Sequence, residues 1–530
     1  MGKIKQKSKN ASKSQKLGKV DNGCHINQLP HKVLKEILSY VPSLRHTAQV
    51  SKSFYRASSE VDNLRDIYKL VFCGKLDSKD IQDIATSILN SKREVTEIEI
   101  ERVAFDENSF EVFLQIFVKY SCMIKKVTVN QSVLKEGQLC AIFSLVPNIE
   151  EFALTSSRLK RFNKARINFK LKHLKSLNLS RTFCIDAEVK RKGRDIIAEF
   201  LAMVAKESPL ESFQANSTFL EDFPFDKKKL THLKMENVVP CHMRLETVIS
   251  SQFKLQSLDL LSCYVMDDVL FTIKNILPYL KALKISLMGI TCKSFLAVVP
   301  NLTELNELHI SASQAAWFTQ AANQMKLPNI ETFFLNVEEL VISKEMLKKT
   351  IDSVPNVKNL HIVTNYTEIV DVIFKSRSHG QLQKCTLEIS NVQGMFNHGL
   401  SPQLNFRSQA LKELEIVNSE AKFANNANFS FLKQFTQLEK LKISGFIVNS
   451  SLHQHALMLP SLTHLELTEK GHGSIDYVMD GSVGKKLKKY GQKLQVMKVD
   501  CIVMSLMQSE VESQFPIVQR RGVVQVFRYR

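Results

Sequence analysis

The stretch closest to a phosphate-binding loop is Gly481-Ser-Val-Gly484-Lys485-Lys486. Such a loop needs four residues between its glycines and a Ser or Thr after the Lys, so that backbone amides and a hydroxyl converge on phosphate and metal. Here two residues separate the glycines and Lys486 follows Lys485, the pattern of a basic loop. His453 and His455 could offer imidazoles to a metal. Without a third ligand in view, they read as surface residues in a loop ahead of Met458-Leu459-Pro460. Cys241-His242 resembles a nucleophile and its base by adjacency alone, whereas such pairs meet in space. The 10 cysteines are nowhere closer than 18 residues, so the short Cys-x2-4-Cys spacing of a zinc module is missing. They are expected to be small, reduced core residues. Trp317, the single tryptophan, is expected to pack on the convex side of the repeats, with a binding anchor as the lesser reading. No catalytic, cofactor-binding or metal-binding site is expected, and no enzyme.

The elements that would position any site come from a repeat. Apolar-x-x-apolar-x-apolar describes a short strand burying alternate side chains. One match carries nothing, because three apolar positions coincide by chance about 9% of the time in such a chain. The spacing carries it. Taking the middle apolar residue as an anchor, the series runs Ile98, Val127, Phe152, Leu177, Phe213, Leu233, Leu258, Leu283, Leu308, Phe333, Leu360, Leu387, Leu414, Leu441, Leu465 and Met497. Gaps of 25 and 27 dominate, within the 20–29 residue period of leucine-rich repeats. Between anchors the chain is helical in pattern. Asp267 and Asp268 open a segment with Val269, Leu270 and Ile273 on one face, and Pro278 ends it. Pro147-Asn148, Pro328-Asn329 and Pro355-Asn356 mark the same stop. The register stays open near 178–213, which contains Lys190-Arg191-Lys192-Gly193-Arg194, and near 333–342, where Val337-Glu-Glu-Leu340-Val-Ile342 offers a second match.

The expected fold is therefore α/β. Residues 94–510 form about 16 repeats of one solenoid, with a parallel β-sheet on its concave face and helices on its convex face. A helical linker or cap is expected over 61–93, and a tail or cap over 511–530. In the most regular run, alternation across the strand puts His361, Glu388, Glu415, Lys442 and Glu466 at the central exposed position, with Glu413, Lys440 and His464 beside them. Three acids on a chain of net charge +19 fit a basic protein target, and fit equally a charged strip that keeps the face soluble.

At the N-terminus, residues 1–24 form a basic tail expected to be disordered; seven lysines and no acid fall within the first twenty residues. The tail suits nuclear import, a weak nucleic-acid contact or plain solvation, and nucleic acid is not expected as the main partner. No apolar run suggests a secretory signal or a membrane span, and Gln6 stands where N-myristoylation expects Ser or Thr. The expected location is nucleus, cytoplasm or both, and no membrane partner is expected. Residues 25–60 then change character. Pro30 suits a first helical turn, Val33, Leu34, Ile37, Leu38 and Val41 recur at helical spacing, and Pro42 stops the helix. Three short helices in so few residues bury their apolar faces poorly and call for a partner or an adjoining domain.

Leu29-Pro30, the helix through Leu38, Ser39-Tyr40-Val41-Pro42 and Val50-Ser51-Lys52-Ser53-Phe54 resemble the F-box. With the repeats, the whole resembles an F-box and leucine-rich-repeat protein. Lys32 stands where an acid is usual, and Ser51 and Phe54 where Cys and Trp are usual. The resemblance implies a three-helix F-box in which Leu29, Pro30, Val33, Leu34, Ile37, Leu38, Val50 and Phe54 dock on a Skp-type adaptor, itself bound to a cullin. It implies the substrate receptor of a ubiquitin ligase, non-catalytic itself, whose repeats bind a protein target of unknown identity. A simple helical cap over the first repeat is the other reading of 26–57, and a scaffold binding protein or RNA without any ligase the rival function.

Overall fold

The computed structural model describes Val33, 68–73, parts of 82–90, 94–103, 107–160, 169–185, 196–227, 229–239, 245–312, 314–321, 324–366, 369–375, 380–390, 410–419, 429–446, 450–468, 478–479, 493–500, 502–503, 517–520 and 523–527. It divides into two compact units, Met1–Val127 and Thr128–Arg530. The basic tail and the basic run Lys190–Arg194 lie outside the described residues, as do Gly481–Lys486 and Cys241-His242.

In the first unit the helical linker expected over 61–93 needs correction. Tyr68–Cys73 is a strand, paired parallel with Val95–Glu101 so that Leu70 stands beside Ile98. Ile67, Leu70 and Phe72 repeat the apolar pattern one unit upstream of Ile98, which explains the strand. Phe72 packs edge-on against Phe113 of the helix Glu107–Tyr120, with ring centroids 4.6 Å apart. Tyr120 donates to the Ile88 carbonyl at 3.1 Å, and Lys119 donates to the carbonyls of Ile88 and Leu89 at 2.9 and 2.8 Å. A cation is thus placed where carbonyls end a helical stretch, the favourable end of its dipole.

The second unit is built on a long parallel sheet, consistent with a solenoid. Glu151–Thr155, Ser176–Leu179, Ser212–Asn216, His232–Glu236, Ser257–Ser262, Ala282–Ser286 and Glu307–Ser311 each pair parallel with the next. The series continues through Thr332–Val337, Asn359–Thr364, Lys384–Ile389, Glu413–Asn418, Lys440–Ser444, His464–Thr468 and Val496–Asp500. From Phe152 to Met497 the anchors stand side by side in register, with one correction. Cys385, not Leu387, stands between Leu360 and Leu414; Leu387 is one row further on, beside Ile362 and Ile416. Both residues are fully buried, and an apolar pattern satisfied at two places in one strand hid the shift. The open register at 333–342 resolves to Phe333, with Leu340 and Ile342 buried beyond the strand. That at 178–213 resolves to Leu177 beside Phe213.

Parallel strands need crossovers, and helices supply them. Leu245–Ser250, Asp267–Ile276, Cys292–Val298, Ala315–Ala321, Lys344–Asp352 and Ile369–Lys375 pack each against the next. Thr291 and Ser343 cap two of them, each accepting from a backbone N–H three residues on. The Pro-Asn turns that end helices also tie units together. Asn356 donates to the Pro328 carbonyl at 2.8 Å and Asn329 to the Thr303 carbonyl at 3.2 Å.

Strands leave the sheet through a left-handed residue four places after the anchor: Gln131, Ser156, Arg181, Asn237 and Gly445. Four of these turn N–H groups donate onward, to the carbonyls of Thr155, Ser180, Ser262 and Thr468. Three units then add a short second strand. Val133–Lys135, Arg158–Lys160 and Phe183–Ile185 form a separate parallel sheet. Within 511–530 stands a hairpin of Ile517–Arg520 and Val523–Phe527, the latter antiparallel to Val496–Asp500. Among the described residues, no helix is long and apolar enough to cross a membrane.

Candidate docking face of the parallel sheet

The anchor and the residue two places on are buried in each strand, so the residue between them faces away from the core. In register these residues form a row: Lys234, Asp259, Lys284, His309, Phe334, His361, Thr386, Glu415, Lys442 and Glu466. His361, Glu415, Lys442 and Glu466 therefore stand together as expected. Glu388 does not belong to this row. Its place is held by Thr386, a direct consequence of the shifted anchor, and Glu388 sits one row further on between Val363 and Val417.

Glu388 nevertheless reaches back. His361 Nε2 and Glu388 Oε1 are 2.9 Å apart, across neighbouring strands. On the other side of His361 a ring ladder runs along the row. Phe334 meets the His361 ring edge-on at 4.5 Å and stacks on His309 at 5.1 Å. His309 Nε2 is 3.0 Å from Glu307 Oε1, and Glu307 is also 3.3 Å from Lys284 Nζ. Burial, followed by the charge of Lys284, lowers His309 to about 4, so its ring is neutral at neutral pH.

Glu413 and Glu415 are matched by lysines, so the strip is mixed in charge where they stand. Lys442 lies 2.7 Å from Glu415, and that hydrogen bond raises the lysine above its ordinary pKa. Glu413 lies between Lys440 at 2.5 Å and Lys384 at 3.4 Å, and the bond from Lys440 lowers its carboxyl. A surface of paired charges around an aromatic centre suits a protein partner better than a simple basic tail. The ring ladder was not singled out in the sequence. Its signal was there: three ring-bearing residues spaced 25 and 27 apart, one after each anchor.

Of the residues implied to meet an adaptor, Val33 is helical and 39% exposed. Leu29, Pro30, Leu34, Ile37, Leu38, Val50 and Phe54 lie outside the described residues. This is the region where comparison with known families speaks: residues 26–66 match the model of the F-box domain. The chain carries an F-box domain. F-box domains bind Skp-type adaptors, and this one supports a role as substrate adaptor in a Skp–cullin–F-box type of ubiquitin ligase. No curated protein matches the chain.

The other candidates gain nothing from the structure. His453 and His455 lie on the helix Ser450–Leu457, not in a loop. Among the described residues no three His, Cys, Asp or Glu gather as a metal site. Trp317 is buried in the helix Ala315–Ala321, edge-on to Phe295 at 4.9 Å. Cys263, Cys292 and Cys385 are buried and free, as expected of core thiols, whereas Cys122 is exposed and Cys140 half-buried, which corrects that expectation for these two.

Proposed function

We propose that this chain is the substrate receptor of a cullin-based ubiquitin ligase, with leucine-rich repeats that hold the target protein. The F-box match at residues 26–66, ahead of a long parallel sheet, is the observation that carries the reading. The F-box would seat on a Skp-type adaptor through Leu29, Pro30, Val33, Leu34, Ile37, Leu38, Val50 and Phe54. The target would lie along the row from His309 to Glu466, where ring edges and paired charges give it a fixed register. Such a receptor works by proximity: two binding surfaces on one chain raise the effective concentration of target lysines near the charged conjugating enzyme. It forms and breaks no bond itself. The basic N-terminal tail suits a nuclear or cytoplasmic protein.

The deciding experiment is affinity purification of the full chain from cells, with and without proteasome inhibition. Co-isolation of adaptor and cullin is expected. Recovery of neither, with a stable partner still bound, would leave a leucine-rich-repeat scaffold without a ligase.

A further inference from the structure

From 152 to 185 the chain has nine Lys or Arg and no Asp or Glu. Elsewhere on the parallel sheet lysines are neutralised in place: Lys234 by Glu236, Lys284 by Glu307, Lys358 by Glu331 and Lys442 by Glu415. Two cations of the small sheet, Arg158 and Lys160, break that habit. In Arg158–Lys160 the middle residue Leu159 is buried at 2%, so Arg158 and Lys160 are both turned to solvent, and both are exposed. The register sets Lys135 beside Lys160 and Phe183 beside Arg158. Phe183 is 57% exposed, a large aromatic side chain left in water next to a guanidinium. Among the described residues, neither Arg158 nor Lys160 has a carboxylate partner.

We propose that the outer face of this small sheet, formed by Lys135, Arg158, Lys160 and Phe183, binds single-stranded RNA. The chemistry selects it. Arg158 and Lys160, two places apart on a strand, are separated by about 6.8 Å, so their charges can follow successive phosphates of an extended chain. Phe183 offers a flat ring on which a base stacks, and stacking tolerates any base. A phosphorylated protein segment presents one or two dianions and calls for cations converging on a point, whereas these stand in an open row with an aromatic beside them. The site departs from the sequence expectation that nucleic acid is not a main partner. It does not depend on the ligase reading.

The test uses the full-length protein and fluorescein-labelled oligouridine, followed by anisotropy over a salt series. The wild type is expected to bind, with affinity falling linearly on a log–log plot against salt. The pair R158E and K160E should weaken binding about ten-fold or more and flatten the slope by about 1.4, at about 0.7 per lost phosphate contact. Phe183→Ala should weaken binding about five-fold with the slope unchanged, a stacking loss and not an ionic one. Deleting residues 1–20 should leave the affinity within about two-fold. Three results would overturn the site: no binding at low salt, binding that disappears with residues 1–20 but survives R158E/K160E, or capture of a phosphoserine peptide while oligouridine is ignored. Because Phe183→Ala and the charge reversal act through different physics, a folding defect in one leaves the other decisive.

Discussion

Asn418 and Gly445 lock two neighbouring strands together at the point where the second turns away. The Asn418 side-chain amide, fully buried, donates to the Gly445 carbonyl at 2.8 Å. Gly445 has φ +80, and a Cβ added there would lie 2.4 Å from the Asn418 carbonyl oxygen. The other left-handed turn residues of the sheet are not glycine, so here the lack of space demands it, not the backbone angle alone. Gly445→Ala is expected to cost about 1–3 kcal/mol, read as a lower midpoint in chemical denaturation. An unchanged midpoint would mean that the turn opens freely.

Thiol chemistry should follow burial. Cys122 is exposed, whereas desolvation raises Cys263 to about 11 and pushes Cys385 up further. A brief iodoacetamide pulse on native protein at neutral pH should therefore alkylate Cys122 and spare Cys263 and Cys385, as read by peptide mass spectrometry. Equal labelling of Cys385 would refute its place in the anchor row.

Acid should loosen the centre of the exposed face. His309 titrates near 4 in the folded chain against 6.5 ordinarily. The unfolded chain thus takes up its proton first, and the stability tied to a neutral ring is complete above about 6.5 and lost as pH falls toward 4. His309→Gln should flatten the fall of melting temperature across that window. A parallel fall in both proteins would sink the assignment.

The adaptor prediction is one of separability. Leu29→Ala combined with Pro30→Ala should abolish co-purification of a Skp-type adaptor while leaving the melting transition of the sheet in place. Wild-type recovery of adaptor would show that these two positions are not the contact.

If the proposed target lies along this row, Glu415→Lys with Glu466→Lys should slow its capture and leave adaptor recovery unchanged, because both residues stand in that row. The change should be larger than that from Glu388→Gln, because Glu388 stands one row away from these two. Unaltered capture by the double reversal would move the site off this row.

Most anchors were legible because each must be apolar and the spacing between them barely varies. Leu233, Leu258, Leu283 and Leu308 follow at steps of 25, and a parallel ladder turns that spacing directly into register. The failures have physical causes. Cys385 buries as well as leucine but looks less like an anchor, so the stronger-looking Leu387 displaced it and carried Glu388 into the wrong row. The turns were invisible because Gln131, Ser156, Arg181 and Asn237 take left-handed φ without being glycine. The three-residue strands at Leu134, Leu159 and Cys184 are too short to show a period of two. Side-chain reach is equally silent in a sequence. Glu236 accepts the backbone N–H of Arg181 at 2.9 Å from 55 residues away, a contact that no local pattern announces.

The hairpin of Ile517–Arg520 and Val523–Phe527 blunts the edge of the sheet that it joins. A parallel sheet that grows by repeating one unit presents, after its last strand, the same open row of amides and carbonyls as after every other. Val523–Phe527 runs against Val496–Asp500 and reverses the direction of that row. Ile517–Arg520 in turn covers the far side of Val523–Phe527, so the backbone groups on this side of the last parallel strand are satisfied within the chain. Among the described residues, the edge left on this side is the four-residue strand Ile517–Arg520, a short template for any other chain to pair with.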